Sequence, residues 1–374
     1  MRSTFRERSP NIFSSEALSP AAFDYELPQE LIAQSPASRR DESRLMVLDG
    51  DATAHLHFRD LPAMLRAGDV LALNETRVIA ARLHGRRLRD AGEGGAAELL
   101  LLHPAGSIRY DPRALDWIAL ARPAKRLRRG DRIGFGALGE ATVLRELEEG
   151  VREVSFSLSL PFEEFLERAG TAPLPPYIHN DSAEARARYQ TVFARVPGSV
   201  AAPTASLHFT DALLAEIESR GVEIVRLSLA IGLGTFRPVT ADSIADHVMH
   251  EEPYAIPAAA AQAIECARSQ GRRIVAAGTT VVRALEGSAR ARGRVEAGED
   301  ATDLFITPGF RFAVVGAMIT NFHLPRSTLL MLVSAFAGRE RVLRAYAEAI
   351  SLRYRFYSFG DAMFVAPSDA LHRG

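Results

Sequence analysis

Residues 272–287, RRIVAAGTTVVRALEG, decide how this chain is built. Ile274 to Ala277 form a short apolar run of the kind found in a buried strand. Gly278 breaks that run, Thr279 or Thr280 is placed to cap a helix, and Val281 to Glu286 continue it. Strand, polar turn and helix in this order belong to an alternating α/β pattern, which predicts a mostly parallel sheet. Ligands of such sheets collect beyond the carboxyl ends of the strands, so the Gly-Thr-Thr turn falls at a candidate site.

Working outward, the same alternation recurs on both sides. DALLAEIESRG predicts a helix ending at Gly221, and VEIVRLSLAIGLG a strand running into a Gly-rich turn. IPAAAAQAIECARSQG predicts another helix, and VVGAMIT a strand leading to Asn321, Phe322 and His323, after which Ser327 is placed to cap the apolar helix Leu329 to Phe336. RLMVLD, residues 44–49, is a further strand. From Asp69 the pattern changes to short β-like runs, with breaks at GEGG (92–95), RRGD (128–131) and EEG (148–150) that suit the hairpins of a small barrel. The expected fold is therefore α/β, a mostly parallel sheet with helices at 23–68 and 155–374, plus an inserted small antiparallel β-barrel domain at 69–154. Residues 1–22, basic and Ser-rich, are expected to form a disordered leader, and 290–303 a charged loop.

Composition narrows the function. The 374 residues carry 45 Lys and Arg against 46 Asp and Glu, so nucleic-acid binding has to come from where the basic residues lie. They segregate into the β module, at Arg82, Arg86, Arg87 and Arg89 and again from Arg122 to Arg132, a local positive field suited to phosphates. The single cysteine, Cys266, excludes an intrachain disulfide framework and a multi-cysteine zinc site, in keeping with a reducing compartment. The apolar run Leu329 to Ala337 is about half of the roughly 18 residues a membrane span needs.

Several residues stand out chemically. His208 precedes a helix that Thr210 or Asp211 is placed to cap, although a ring packed against backbone explains it equally well. Gly232 and Gly234 follow an apolar strand without the third glycine or the lysine of a phosphate-binding fingerprint, so a ligand-approaching turn and a purely structural one both fit. His247 and His250 lie three apart and would share a helix face, but HEXXH is absent, which favours polar contacts or a solvated face over a metal. The free N–H groups at the Thr279–Thr280 helix start favour an anionic group such as a carboxylate. Arg283 and Glu286 share one face of that helix, as site residues or as a surface ion pair. Packing explains Leu329 to Phe336, but not Asn321 and His323.

Ordered motifs across the chain resemble one family. LNETRVIAARLHG, ARPAKRL, LPPYI, RYQTVF, PGSVAAPTASLHF, GLGTFRPV, DHVMHEE, AAGTTVVRALE, TPGF, TNFHLPRSTLLMLVSAFAG and YRFYSFGDAMF look like the tRNA ribosyltransferase-isomerases of queuosine biosynthesis, from about Phe23 to Phe364. The resemblance implies a transferase-isomerase that moves the ribosyl group of S-adenosylmethionine onto 7-aminomethyl-7-deazaguanine at the wobble position of a tRNA with a GUN anticodon. Epoxyqueuosine, adenine and methionine would be its products. It implies a cytoplasmic enzyme, S-adenosylmethionine as co-substrate, and no other cofactor, metal or membrane. It also implies His208, His323 and Glu286 as acid or base candidates. Substrate contacts would fall on Thr204, Gly232, Gly234, Thr235, His250, Thr279, Thr280, Arg283 and Asn321, and tRNA contacts on Arg86, Lys125, Arg126, Arg128 and Arg129. Four positions depart from the family pattern: Ala230, Ser206, Val281 and Thr307. The alternatives are a paralogue that uses S-adenosylmethionine on a different, non-tRNA acceptor, and a non-catalytic tRNA-binding protein.

Overall fold

The computed structural model describes residues 19–90, 92–232 and 243–366. Gly234, Thr235 and the first 18 residues of the expected leader lie outside this range. The leader's end does not: Pro20–Phe23 is a turn of 3₁₀ helix with Pro20 and Phe23 buried, because Phe23 belongs to the main core.

The larger layer is a nine-stranded mixed sheet. Its order is Gly298–Thr302, Glu252–Ile256, Glu223–Leu229, Val70–Asn74, Ile274–Ala277, Ala317–Asn321, Ala362–Ala366, Arg44–Asp49 and Ala52–His57. From Glu223–Leu229 to Ala317–Asn321 the strands pair in parallel, and antiparallel pairs flank them. The parallel strands read as continuous apolar runs because both faces are covered. Val70, Ala72, Ile274 and Ala276 face one core, beneath helices Ala258–Ser269, Thr279–Arg292 and Thr328–Ala337. Leu71, Leu73, Val275 and Ala277 face the other, beneath helix Asp211–Ser219.

The second layer is antiparallel. Arg82–Arg89, Gly92–Pro104, Asp116–Arg122, Val151–Leu158, Gly139–Glu146 and Arg132–Gly134 pair in that order, and the last pairs back to the first through Arg86↔Gly134 and Leu88↔Arg132, which closes the barrel. Gly170–Thr171 adds an edge strand to Arg82–Arg89. Trp117, Phe156, Phe162 and Phe165 fill the interior, with Trp117 and Phe162 stacked at 5.1 Å.

Two expectations change. Residues 70–74 were assigned to the β module, but VLALN is a fully buried strand of the large sheet, where its uninterrupted apolar character belongs. On these pairings we propose that the inserted unit runs from about Arg82 to Thr171. The charged stretch 290–303 is not all loop, because Gly298–Thr302 forms the sheet's edge strand.

Candidate active site

Because the four central strands are parallel, their carboxyl ends, Asn74, Leu229, Ala277 and Asn321, lie along one edge of the sheet. Two adjoining cavities open there, with volumes of ≈ 310 and ≈ 340 Å³. Thr204, His323 and Leu329 line both. Asn321, Tyr177 and Ser358 line the first, and Gly278, Thr279 and Thr280 the second.

Helix Thr279–Arg292 begins without a side-chain cap. Its N-cap is Gly278 at φ 108°, a conformation in the left-handed region that favours glycine. Thr279 and Thr280 are therefore the first helical residues and not the cap expected of them. Gly278 donates to the Ile319 carbonyl, and its own carbonyl accepts from Val281 and Val282. The amides of Thr279 and Thr280 donate to no acceptor among the described residues, and both residues line the second cavity at the positive end of the helix dipole.

His323 follows the strand's end. Its Nε2 lies 2.7 Å from the Thr320 hydroxyl, its N–H donates to Tyr346 at 3.0 Å, and its carbonyl accepts from the Tyr25 hydroxyl. Nδ1 makes no hydrogen bond among the described residues. Burial lowers the ring's pKa to about 3, so the imidazole is neutral at pH 7. Ser327 caps the next helix by accepting from Leu330 at 3.2 Å, as its position in the sequence suggested.

His208 lies one layer behind. Asn321 Nδ2 donates to the Tyr357 carbonyl at 2.8 Å, which turns Oδ1 toward His208 Nε2 at 3.2 Å. Nε2 therefore carries the ring proton, and Nδ1 accepts from the Ser43 hydroxyl at 2.7 Å. The ring packs on Phe58, and burial lowers its pKa to about 4. With both nitrogens engaged, His208 fixes Asn321 and has no nitrogen left for a reacting group. The helix after it is capped by Thr210, which accepts from Leu213.

Arg283 and Glu286 are both buried, and neither pairs with the other nor lines the cavities. Arg283 is ion-paired with Glu252 and donates to the carbonyls of Leu304 and Thr302. Glu252 also accepts from the amide of Gly232 at 3.0 Å, so this pair anchors the Gly-turn strand end. Glu286 Oε2 accepts from Ala313, and Oε1 from Val314 and Val315. Burial raises its carboxyl pKa against the pull of these donors. His250 is exposed, and the segment 247–250 is not helical, so the two histidines share no helix face. Among the departures from the family pattern, Ser206, Val281 and Thr307 are buried.

Sequence reasoning misses Asn74 and reads Tyr177, between Pro176 and Ile178, as packing more often than chemistry. Asn74, fully buried, exchanges hydrogen bonds with Leu229, donates to Thr280 at 3.4 Å, and so ties two strand ends to the start of helix Thr279–Arg292. An asparagine closing the run VLALN was its only signal. Tyr177 bonds Ser358 at 2.6 Å and packs on Tyr357 at 4.7 Å, which makes it a wall of the first cavity.

On the barrel, Lys125, Arg126, Arg128 and Arg129 are exposed and make no ion pair among the described residues, whereas Arg86 is paired with Glu93 at 2.9 Å. Buried Arg152 holds this basic loop in place, donating to the carbonyls of Leu127 and Ala124, each at 2.6 Å.

This layout defines an α/β protein with two cavities at its strand ends and a barrel whose exposed basic loop makes no ion pair among the described residues. Residues 20–365 match the model of a family described as queuosine biosynthesis protein. The chain belongs to that family. It is 53% identical over 348 residues to the S-adenosylmethionine:tRNA ribosyltransferase-isomerase of Moorella thermoacetica, covering 92% of this chain and 98% of that one. It is 50% identical over 347 residues to the protein of the same name from Gloeobacter violaceus, covering 92% and 95%. The crystal structure of S-adenosylmethionine tRNA ribosyltransferase from Thermotoga maritima is 37% identical, with a TM-score of 0.51 over 92% of this chain and 99% of that one.

Proposed function

We infer that this chain is an S-adenosylmethionine:tRNA ribosyltransferase-isomerase of queuosine biosynthesis. Its main support is likeness to such enzymes at half identity or more across 92% of the chain. The acceptor is 7-aminomethyl-7-deazaguanine at the wobble position of a tRNA with a GUN anticodon, and the products are epoxyqueuosine, adenine and methionine. The enzyme works in the cytoplasm, with S-adenosylmethionine as co-substrate and no other cofactor.

Within the site, the uncapped helix start at Thr279 and Thr280 holds the methionine carboxylate, which needs N–H donors and a positive dipole end. His323, neutral and lining both cavities, is the group closest to hand as base. The sulfonium acidifies C5′, the base removes a proton there, adenine leaves, the acceptor's amine attacks the ribosyl carbon, and methionine departs as its C5′–sulfur bond breaks. A carboxylate held in the same cavity would stabilise the imidazolium so formed and raise its pKa toward a useful range. Thr204 and Asn321 line the acceptor's side. Arg283, Glu252 and Gly232 hold the wall, and Glu286 and His208 act behind it. Lys125, Arg126, Arg128 and Arg129 take tRNA phosphates, with Arg86 at the barrel's flank.

The test is adenine release from S-adenosylmethionine on incubation with an anticodon stem-loop bearing the deazaguanine. Release that requires the RNA is expected. No release with competent RNA refutes the assignment.

A further inference from the structure

A third cleft, of ≈ 260 Å³, lies behind the candidate active site and is lined by Arg40, Ser43, Arg188, His208, Arg355 and Ser358 among others. Its three arginines come from separate parts of the chain: a 3₁₀ turn at Arg40–Glu42, the end of helix Ala183–Arg188, and the segment before strand Ala362–Ala366. Convergence of three like charges on one half-buried cleft is unfavourable without compensation.

Compensation is scarce. Arg40 donates to the carbonyls of Leu207 and Arg188, and Arg188 to those of Ser38 and Ala37, but neither has a carboxylate partner among the described residues. Arg188 Nε is buried with no hydrogen-bond partner among the described residues. Asp41 pairs with Arg39 at 3.4 Å, and Asp361 pairs with Arg44 at 3.3 Å and with Arg355, the cleft's third arginine, at 3.7 Å, which leaves Arg40 and Arg188 as the cations without a carboxylate. Burial and the neighbouring Arg188 both lower the pKa of Arg40, as expected of a cation that lacks a counter-charge. Fixed guanidinium forks with unused donors suit an oxyanion.

We propose that this cleft binds a phosphate of the tRNA backbone, one flanking the nucleotide that enters the active site. The proposal rests on the tRNA function above. Ser358 lines both this cleft and the first active-site cavity, and His208, on the cleft's wall, bonds Asn321 in that cavity. The two sites are thus separated by a single hydrogen-bonded layer. A nucleotide drawn out of its stack into the cavity brings its neighbouring phosphates to that distance, and a backbone clamp offsets part of the cost of unstacking.

The test titrates full-length protein with an anticodon stem-loop at several salt concentrations, and separately with S-adenosylmethionine. Arg40→Gln and Arg188→Gln should each weaken RNA binding about tenfold, as loss of a charge-assisted contact does. Each should also make the dependence of log K on log salt shallower by about 0.7 to 0.9 for the lost phosphate, and leave the affinity for S-adenosylmethionine unchanged. Arg40→Lys should keep the wild-type salt slope. If Arg188→Gln does not fold, Arg355→Gln replaces it with the same expectations. Loss of S-adenosylmethionine affinity with an intact salt slope would assign the cleft to the donor's carboxylate and overturn the proposal, as would unchanged binding of both ligands. Wild-type protein that binds no stem-loop refutes the tRNA function itself, a result distinct from wild-type binding that the variants leave intact.

Discussion

Glu286 is the residue at which a catalytic and a structural role make opposite predictions. Its carboxylate accepts three backbone N–H groups from consecutive residues, at 2.9, 3.0 and 2.9 Å, and the side chain is 1% exposed. In Glu286→Gln the amide oxygen can keep Val314 and Val315, while the new NH₂ group faces the N–H of Ala313, donor against donor. One charge-assisted bond is lost and one donor is orphaned, which costs about 2 kcal/mol. Glu286→Ala orphans all three donors and opens a cavity, at a cost upward of about 4 kcal/mol, a large share of the ~5–15 kcal/mol that holds a domain together. Urea denaturation measures both values. Adenine release, normalised to folded protein, should stay within about threefold of wild type in Glu286→Gln. A variant as stable as wild type that releases no adenine would refute this reasoning and return Glu286 to the chemistry.

His323→Ala should lower turnover at least a hundredfold while moving the urea midpoint little, since among the described residues the ring's side-chain partner is the hydroxyl of Thr320 alone; an active variant would remove His323 from the base role. Stability should fall on acidification from about pH 6.5 toward pH 4. His208 titrates near 6.5 when unfolded but near 4 when folded, so the unfolded chain binds more protons across that window. Urea midpoints across the window should drop less steeply in His208→Gln, and an unchanged slope would contradict the buried neutral ring. Arg152→Met should weaken stem-loop binding several-fold without changing its salt slope, because the basic loop loses the clamp at Ala124 and Leu127 but none of its exposed charges. Ser327→Ala should cost about 1 kcal/mol in urea denaturation, the usual value of an N-cap.

Local patterns in the sequence exposed much of the fold. The strands at 44–49 and 274–277, the barrel breaks at 128–131 and 148–150, and the apolar helix after Ser327 all follow from period, turn residues and caps, whereas the break expected at 92–95 does not, because Gly92–Pro104 is one strand. The misassigned strand Val70–Asn74 shows where such patterns stop, since an apolar run records burial but not which sheet buries it. The site was half legible. Asn321, His323, Thr279 and Thr280 are polar residues at strand ends, and position alone marks them. His208, Arg283 and Glu286 carry equally conspicuous chemistry, yet their partners, Ser43, Glu252 and the amides of 313–315, lie far away in sequence or belong to the backbone. No spacing rule reports such pairings.

Strand Ala362–Ala366 lies inside the large sheet, between Ala317–Asn321 and Arg44–Asp49. Among the described residues, the hairpin of residues 44–57 joins the remaining strands only through Ala362–Ala366, so the sheet stays in two pieces until that strand has been made. A polypeptide ending before Ala362 would lose an interior strand and leave two long apolar edges open to self-association, a state that proteolysis removes more readily than a frayed end. Ser43, which holds His208 behind the candidate site, sits at the base of that same hairpin, so strand Ala362–Ala366 also settles the wall behind the strand-end cavities.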